Sequence, residues 1–162
     1  MNKDHLKDVR LNADNKYEYM GDTYKWSMEL RDERFLFLSV VLAVTCEIAS
    51  GCIPDAGYDG HPGLMIPFLV AIIMSVILTW RAGMLLWCRN RGAKEYVKKQ
   101  IDNWFPASSF FVGVGGIWCV VAAIVMGQVN GAFVWCQLMA SAAGISAYIL
   151  YKRLTWTKVL KN

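Results

Sequence analysis

Residues 35–53, FLFLSVVLAVTCEIASGCI, form an unbroken apolar run that contains a single carboxylate, Glu47. As a helix rising 1.5 Å per residue, such a run is roughly 28 Å long, close to the thickness of a bilayer's hydrocarbon core. Backbone amides in lipid have no water to bond, so the segment must satisfy its hydrogen bonds internally and is a transmembrane helix. A carboxylate at that depth costs about 2.5 to 3.5 kcal/mol to insert, and a group kept at that cost marks a functional position.

Three more apolar blocks follow, and the spans fall at residues 35–53, 64–88, 107–127 and 131–151. Together they explain why the chain is 56% hydrophobic, above the roughly 45 to 50% of soluble domains. The third and fourth spans are joined only by GQVNG, which forces them to be antiparallel neighbours. The expected fold is an all-α membrane protein, an antiparallel four-transmembrane-helix bundle over 35–151. It is flanked by an N-terminal segment, 1–34, and a basic tail, 152–162.

Charge decides orientation. Of 17 Lys and Arg residues, all but Arg81 lie in the N-terminal segment, in residues 89–106 and in the tail, and the other two loops carry none. Positive charge stays on the cytoplasmic side, so both termini are expected to be cytoplasmic and the membrane to be the plasma (inner) membrane. The net charge of +4 therefore belongs to flanks that meet lipid headgroups, which argues against a nucleic-acid partner. The first 34 residues hold no apolar stretch of signal-peptide type, so the first span itself is expected to direct insertion.

The flanks carry weaker signals. Residues 1–23 mix both charges without periodicity and read as an irregular tail, whereas 24–34, YKWSMELRDER, suggest a short interfacial helix. Residues 89–106 suggest a separate amphipathic helix with Tyr96, Val97, Ile101 and Trp104 on its membrane-side face.

Without a hydrophobic drive between helices in lipid, association depends on close backbone approach, and small residues at four-residue spacing mark the interfaces. The third span offers Gly115, Cys119, Ala123 and Gly127, and the fourth Cys136, Ala140 and Gly144; the two stripes are expected to face each other. On the first span Ser39, Ala43, Glu47 and Ser50 share a face, which turns the acid into the bundle.

The candidate substrate- or proton-binding set is Glu47 with Arg81, Gln137, Trp118, Trp135 and Tyr148. Arg81 has two options: an ion pair with Glu47 or a reach toward cytoplasmic headgroups. An unpaired carboxyl at this depth favours its neutral form and suits exchange of a proton for a cation. The plainer role for Glu47 is a hydrogen bond that glues two helices. No catalytic residues, metal ligands or cofactor motifs stand out. The outer-loop set Asp55, Asp59 and His61 makes only a weak cation motif, and GVGG at 113–116 lies inside a span with no lysine after it. The five cysteines include Cys52 and Cys136, which sit at similar depth near the outer surface, so a bridge between them is conceivable. Small buried hydrophobes are the ordinary role for such residues.

The segment KYEYMGDTYKW, the Pro/Gly-rich outer loop, LMIPFLV and the basic AKEYVKK linker resemble a group of small four-helix integral membrane proteins of anaerobic Firmicutes. That resemblance covers much of the first 105 residues and implies a fold and a membrane, with no activity attached. A membrane-embedded glutamate in the first of four spans is also similar to small multidrug transporters. The long N-terminal segment, the basic second loop and the strongly fixed orientation depart from that pattern.

The leading expectation is a non-enzymatic accessory or regulatory component of a membrane complex. The alternative is a small proton-coupled transporter or small-molecule-binding membrane protein using Glu47. A membrane thiol-disulfide oxidoreductase comes third, weakened by the lack of a close C-x-x-C pair. The partners expected are the lipid bilayer and either a second copy of the chain or another membrane protein.

Overall fold

The computed structural model describes residues 9–11, 17–19, 22–54, 62–127 and 129–159. It contains α1 (Leu30–Gly51), α2 (Pro62–Arg91), α3 (Glu95–Val125) and α4 (Gly131–Tyr151), each long and apolar enough to cross a membrane. The chain is a multi-pass membrane protein built as a helix bundle. Among the described residues five short strands complete it: β1 (Val9–Leu11), β2 (Tyr17–Tyr19), β3 (Thr23–Ser27), β4 (Ala93–Lys94) and β5 (Thr155–Val159). β1 and β2 form an antiparallel pair of their own.

The flanks differ from expectation in four ways, the first being the β1–β2 ladder inside the stretch read as an irregular tail. Residues 23–27 are a strand, and the interfacial helix expected from Tyr24 begins only at Leu30, as the first turn of α1. The basic tail supplies a second strand, β5, and β3 lies between β4 and β5 in an antiparallel sheet with Trp26 opposite Trp156. Both segments are rich in Thr, Tyr and Trp, residues that suit a half-buried pleated surface once a partner strand is present. Finally, the amphipathic stretch expected at 89–106 is no separate helix. α3 starts at Glu95 and runs through Pro106 without a break, Val97 and Ile101 facing inward and Tyr96 and Trp104 outward. The proline removes one backbone donor, and the hydroxyls of Ser108 and Ser109 donate to the Trp104 and Phe105 carbonyls beside it, at 2.6 and 2.8 Å.

The three-stranded sheet gathers the start of α1, the end of α2, the start of α3 and the end of α4 at one end of the bundle. α2 reaches it through Gly92, whose φ of 77° ends the helix and whose missing side chain leaves room for Thr23. Trp26 lies under the sheet and donates from Nε1 to the Leu85 carbonyl at 2.9 Å. Around it Glu33 pairs with Arg89 at 2.5 Å and Asp32 with Arg153 at 3.0 Å. Asp102 accepts from Tyr151 Oη at 2.7 Å, Trp156 Nε1 at 2.9 Å and Lys98 Nζ at 3.1 Å, while the Tyr151 ring stacks on Phe105 at 4.5 Å. At the opposite end Asn130 caps α4, its Oδ1 accepting from the amides of Ala132 and Phe133.

α2 packs along α3, α3 along α4, and α4 along α1, whereas α1 and α2 make much less contact. The apolar interior divides into a large cluster at the strand-capped end and a small one near Leu64, Phe68, Cys119 and Phe133. A polar layer of Glu47, Ser50, Ser75, Gln137 and Ser141 falls between them along the helices.

The small-residue stripes pair differently from expectation. Gly115 looks onto α2, where a Cβ would lie 3.1 Å from that of Ala71. The closest approach to α4 is made instead by Gly113 and Gly116, against Gly144, Ser141 and Gln137. A Cβ on Gly144 would come within 2.9 Å of the Gly113 amide nitrogen, so the two backbones meet there. Cys119, Ala123 and Ala140 are fully buried, Cys136 is half-buried, and Gly127 sits just past the end of α3 with φ of 69°.

Candidate functional site

Glu47 lies on the α1 face that also buries Val40, Ala43 and Ser50, the face expected from four-residue spacing, and its side chain is fully enclosed. Across the α1–α4 interface its Oε2 accepts from Gln137 Nε2 at 3.1 Å. The same Nε2 donates to Ser50 Oγ at 2.8 Å, and Ser50 Oγ donates in turn to the Glu47 carbonyl at 2.7 Å. Gln137 is thus oriented by two acceptors on α1. Glu47 Oε1 and Gln137 Oε1 are buried without a hydrogen-bond partner among the described residues. A buried acceptor left in this state costs about 1 to 3 kcal/mol, so its persistence calls for an explanation beyond helix packing.

Glu47 also lines the cleft left where α1 and α2 part. This cleft has a volume of about 670 Å³ and opens on the bundle's outer face between Ile48 of α1 and Val76, Trp80 and Trp87 of α2, all strongly exposed. Its wall is otherwise apolar, and the two hydroxyls that reach it are satisfied within α2: Ser75 donates to the Ile72 carbonyl at 2.8 Å and Thr79 to that of Ser75 at 2.9 Å. Glu47 is the carboxylate among the lining residues, and the indole N–H groups of Trp80 and Trp87 are the other polar groups there without a bond inside α2.

Gly83 lines the same cleft, and a Cβ added there would meet nothing within 4 Å. The helical row Val76, Trp80, Gly83 and Trp87 makes one continuous wall on α2. The sequence reading passes over Gly83. The readable signal was a glycine between two tryptophans seven residues apart, which leaves a notch in an aromatic ridge.

The other expected site residues lie elsewhere. Arg81 turns to the strand-capped end, where its Nη1 donates to Gln100 Oε1 of α3 at 3.0 Å and contacts Met84 Sδ at 3.1 Å. Trp118 and Trp135 point outward, 61% and 68% exposed, and do not line the cleft. Tyr148 belongs to the strand-capped end, its ring beside Phe110 and beneath Lys152. Of the expected set, the structure brings together Glu47 and Gln137 alone.

All five cysteines are free thiols, Cys52 exposed and Cys136 half-buried. No cluster of metal-ligating side chains forms among the described residues, and the weak outer-loop motif of Asp55, Asp59 and His61 lies outside them. Comparison with protein-family models, with curated proteins and with solved structures returned no match.

Proposed function

We propose that the protein is a plasma-membrane component whose helices run alternately up and down, with both termini cytoplasmic, and that it binds a lipophilic small molecule entering sideways from the bilayer. The observation that carries this reading is the unpartnered Oε1 of Glu47, the acid lining a cleft whose remaining wall is apolar apart from two hydroxyls bonded within α2 and the indole N–H groups of Trp80 and Trp87. A volume of about 670 Å³ lies within the range of small-molecule sites, which are mostly apolar with a few placed polar groups. The ligand's donor head meets Glu47, and its body lies along Ile72, Val76 and Trp80. Where the head is an ammonium, the acid's O–H bond breaks, its proton leaves to water, and the ammonium takes its place beside the carboxylate. Binding of a cation is then coupled to proton release. The segregation of basic residues to three flanks supports the orientation.

The test is calorimetric titration of the full chain in nanodiscs with a lipophilic tertiary amine and with its uncharged carbon isostere. The amine is expected to bind at least tenfold tighter and to release protons, seen as a dependence of the heat on buffer ionisation enthalpy. Glu47→Gln should collapse the difference between the two probes. Equal affinity of both for the unaltered protein would remove Glu47 from the site.

A second reading, an accessory component of a membrane complex, is favoured by the outer edge of β5, which no described strand covers. A partner that pairs there would be lost on trimming residues 155–162 and kept in Glu47→Gln.

A further inference from the structure

Residues 31–34, RDER, are neutral as a string, and the fold separates their charges. Both acids turn toward the bundle, where Arg153 engages Asp32 at 3.0 Å and Arg89 engages Glu33 at 2.5 Å. Arg31 and Arg34 turn outward, are exposed, and have no carboxylate partner among the described residues. Elsewhere at this end Lys98, Lys99 and Lys158 are each matched by an acid. With Asp32 and Glu33 engaged elsewhere, the two arginines exceed the one acid beside them, Glu29, and leave a local excess of positive charge.

Both line a recess of about 530 Å³ on the outer face of α1, together with Glu29, Leu30, Phe35 and Leu38. The Arg31 guanidinium sits 5.8 Å from the Phe35 ring centre, and Leu30, Phe35 and Leu38 are about half exposed or more. Positions 31, 34, 35 and 38 follow one helical face, so the recess runs from guanidinium groups straight onto an apolar wall. It lies where the apolar run 35–53 begins, at the level where headgroups meet hydrocarbon. Guanidinium forks match phosphate oxygens in shape and charge.

We infer that this recess holds a membrane phospholipid by its phosphodiester, with Arg31 and Arg34 donating to the phosphate oxygens and an acyl chain lying along Phe35 and Leu38. Glu29 on the rim opposes a second negative charge, which favours the singly charged diester over a terminal phosphate. A lipid rather than a soluble phosphate is the occupant because the apolar wall continues directly from the two cations. This inference is independent of the ligand assigned to Glu47.

Native mass spectrometry of the full chain, released from micelles supplemented with one lipid at a time, tests it. An anionic phosphatidylglycerol should be retained, and a diacylglycerol with the same tails should not. Arg31→Gln with Arg34→Gln should weaken retention roughly 10- to 30-fold, at about one kcal/mol per surface cation. Arg91→Gln with Lys152→Gln, which removes equal charge from exposed positions at the same end, should leave retention unchanged. Equal loss in both double variants, equal retention of the diacylglycerol, or displacement of the lipid by an equal concentration of water-soluble glycerophosphoglycerol would each overturn the assignment.

Discussion

Asp102 at the strand-capped end and Glu47 in the middle of the bundle are both carboxylates held between helices, and their surroundings differ sharply. Asp102 receives a tyrosine, a tryptophan and a lysine, whereas Glu47 receives a single amide and keeps one oxygen without a partner. The capped end gathers four helix ends around a carboxylate whose bonds are made, although Arg81 Nε nearby is buried without a partner. The middle keeps hydrogen-bonding capacity open beside a cleft. Satisfied networks hold a structure, and unsatisfied ones leave something for a ligand to do.

The largest test of this contrast removes the anchor of the cap. Trp26→Ala deletes a buried indole and its bond to the Leu85 carbonyl, and should cost about 3 to 5 kcal/mol in denaturant unfolding in micelles. A loss below about 1 kcal/mol would mean that the sheet does not brace the bundle. Asp102→Ala comes next: it leaves the Trp156 indole and Tyr151 hydroxyl without their acceptor, for roughly 2 to 3 kcal/mol by the same measurement.

In the middle of the bundle the same kind of change should behave oppositely. Glu47→Gln retains the shape while removing an ionisable group, so unfolding should shift by about 1 kcal/mol or less, in either direction, as ligand binding disappears. A loss comparable to that of Asp102→Ala would make Glu47 structural glue and erase the contrast. Gly83→Leu fills the notch between Trp80 and Trp87 and replaces a poor helix former, so stability should hold or rise by about 0.5 to 1 kcal/mol, with the amine probe excluded.

The smallest effect lies at the rim of the sheet, where the Asp22 carboxylate, accepting from Lys158 at 2.6 Å, holds that ammonium above the ordinary lysine value of 10.5. A base stabilised in the folded state contributes fully below its unfolded value and loses that contribution as pH rises through the folded one. Cap stability followed by thermal melting should therefore fall above roughly pH 10.5, and Asp22→Asn should flatten that dependence. The contact is exposed, so the change should be slight.

Much of the bundle was legible in the residues because lipid permits few solutions. Apolar length marked four helices long enough to cross a membrane, and four-residue spacing turned Glu47 inward, while its bond to Gln137 emerged only from the packing of α1 on α4. The strands were not legible, since TYKWS and TWTKV are only five residues long and acquire partners far along the chain. Pro106 likewise read as a helix boundary, while α3 runs through it from Glu95 to Val125. Among site residues, Arg81 could have reached either way by length alone, and Gln100 on a neighbouring helix decided its direction.

What the sequence determined by itself is which segments leave water and which face of the first one carries the acid, because burial cost in lipid and the 3.6-residue repeat act locally. What only the tertiary structure decided is which helices stay close and which part. Gly113, Gly116 and Gly144 draw α3 and α4 together until their backbones touch, while α1 and α2 have no such match and open a cleft at Glu47. Close approach is a property of two surfaces at once, and one strand of sequence cannot state the shape of its partner.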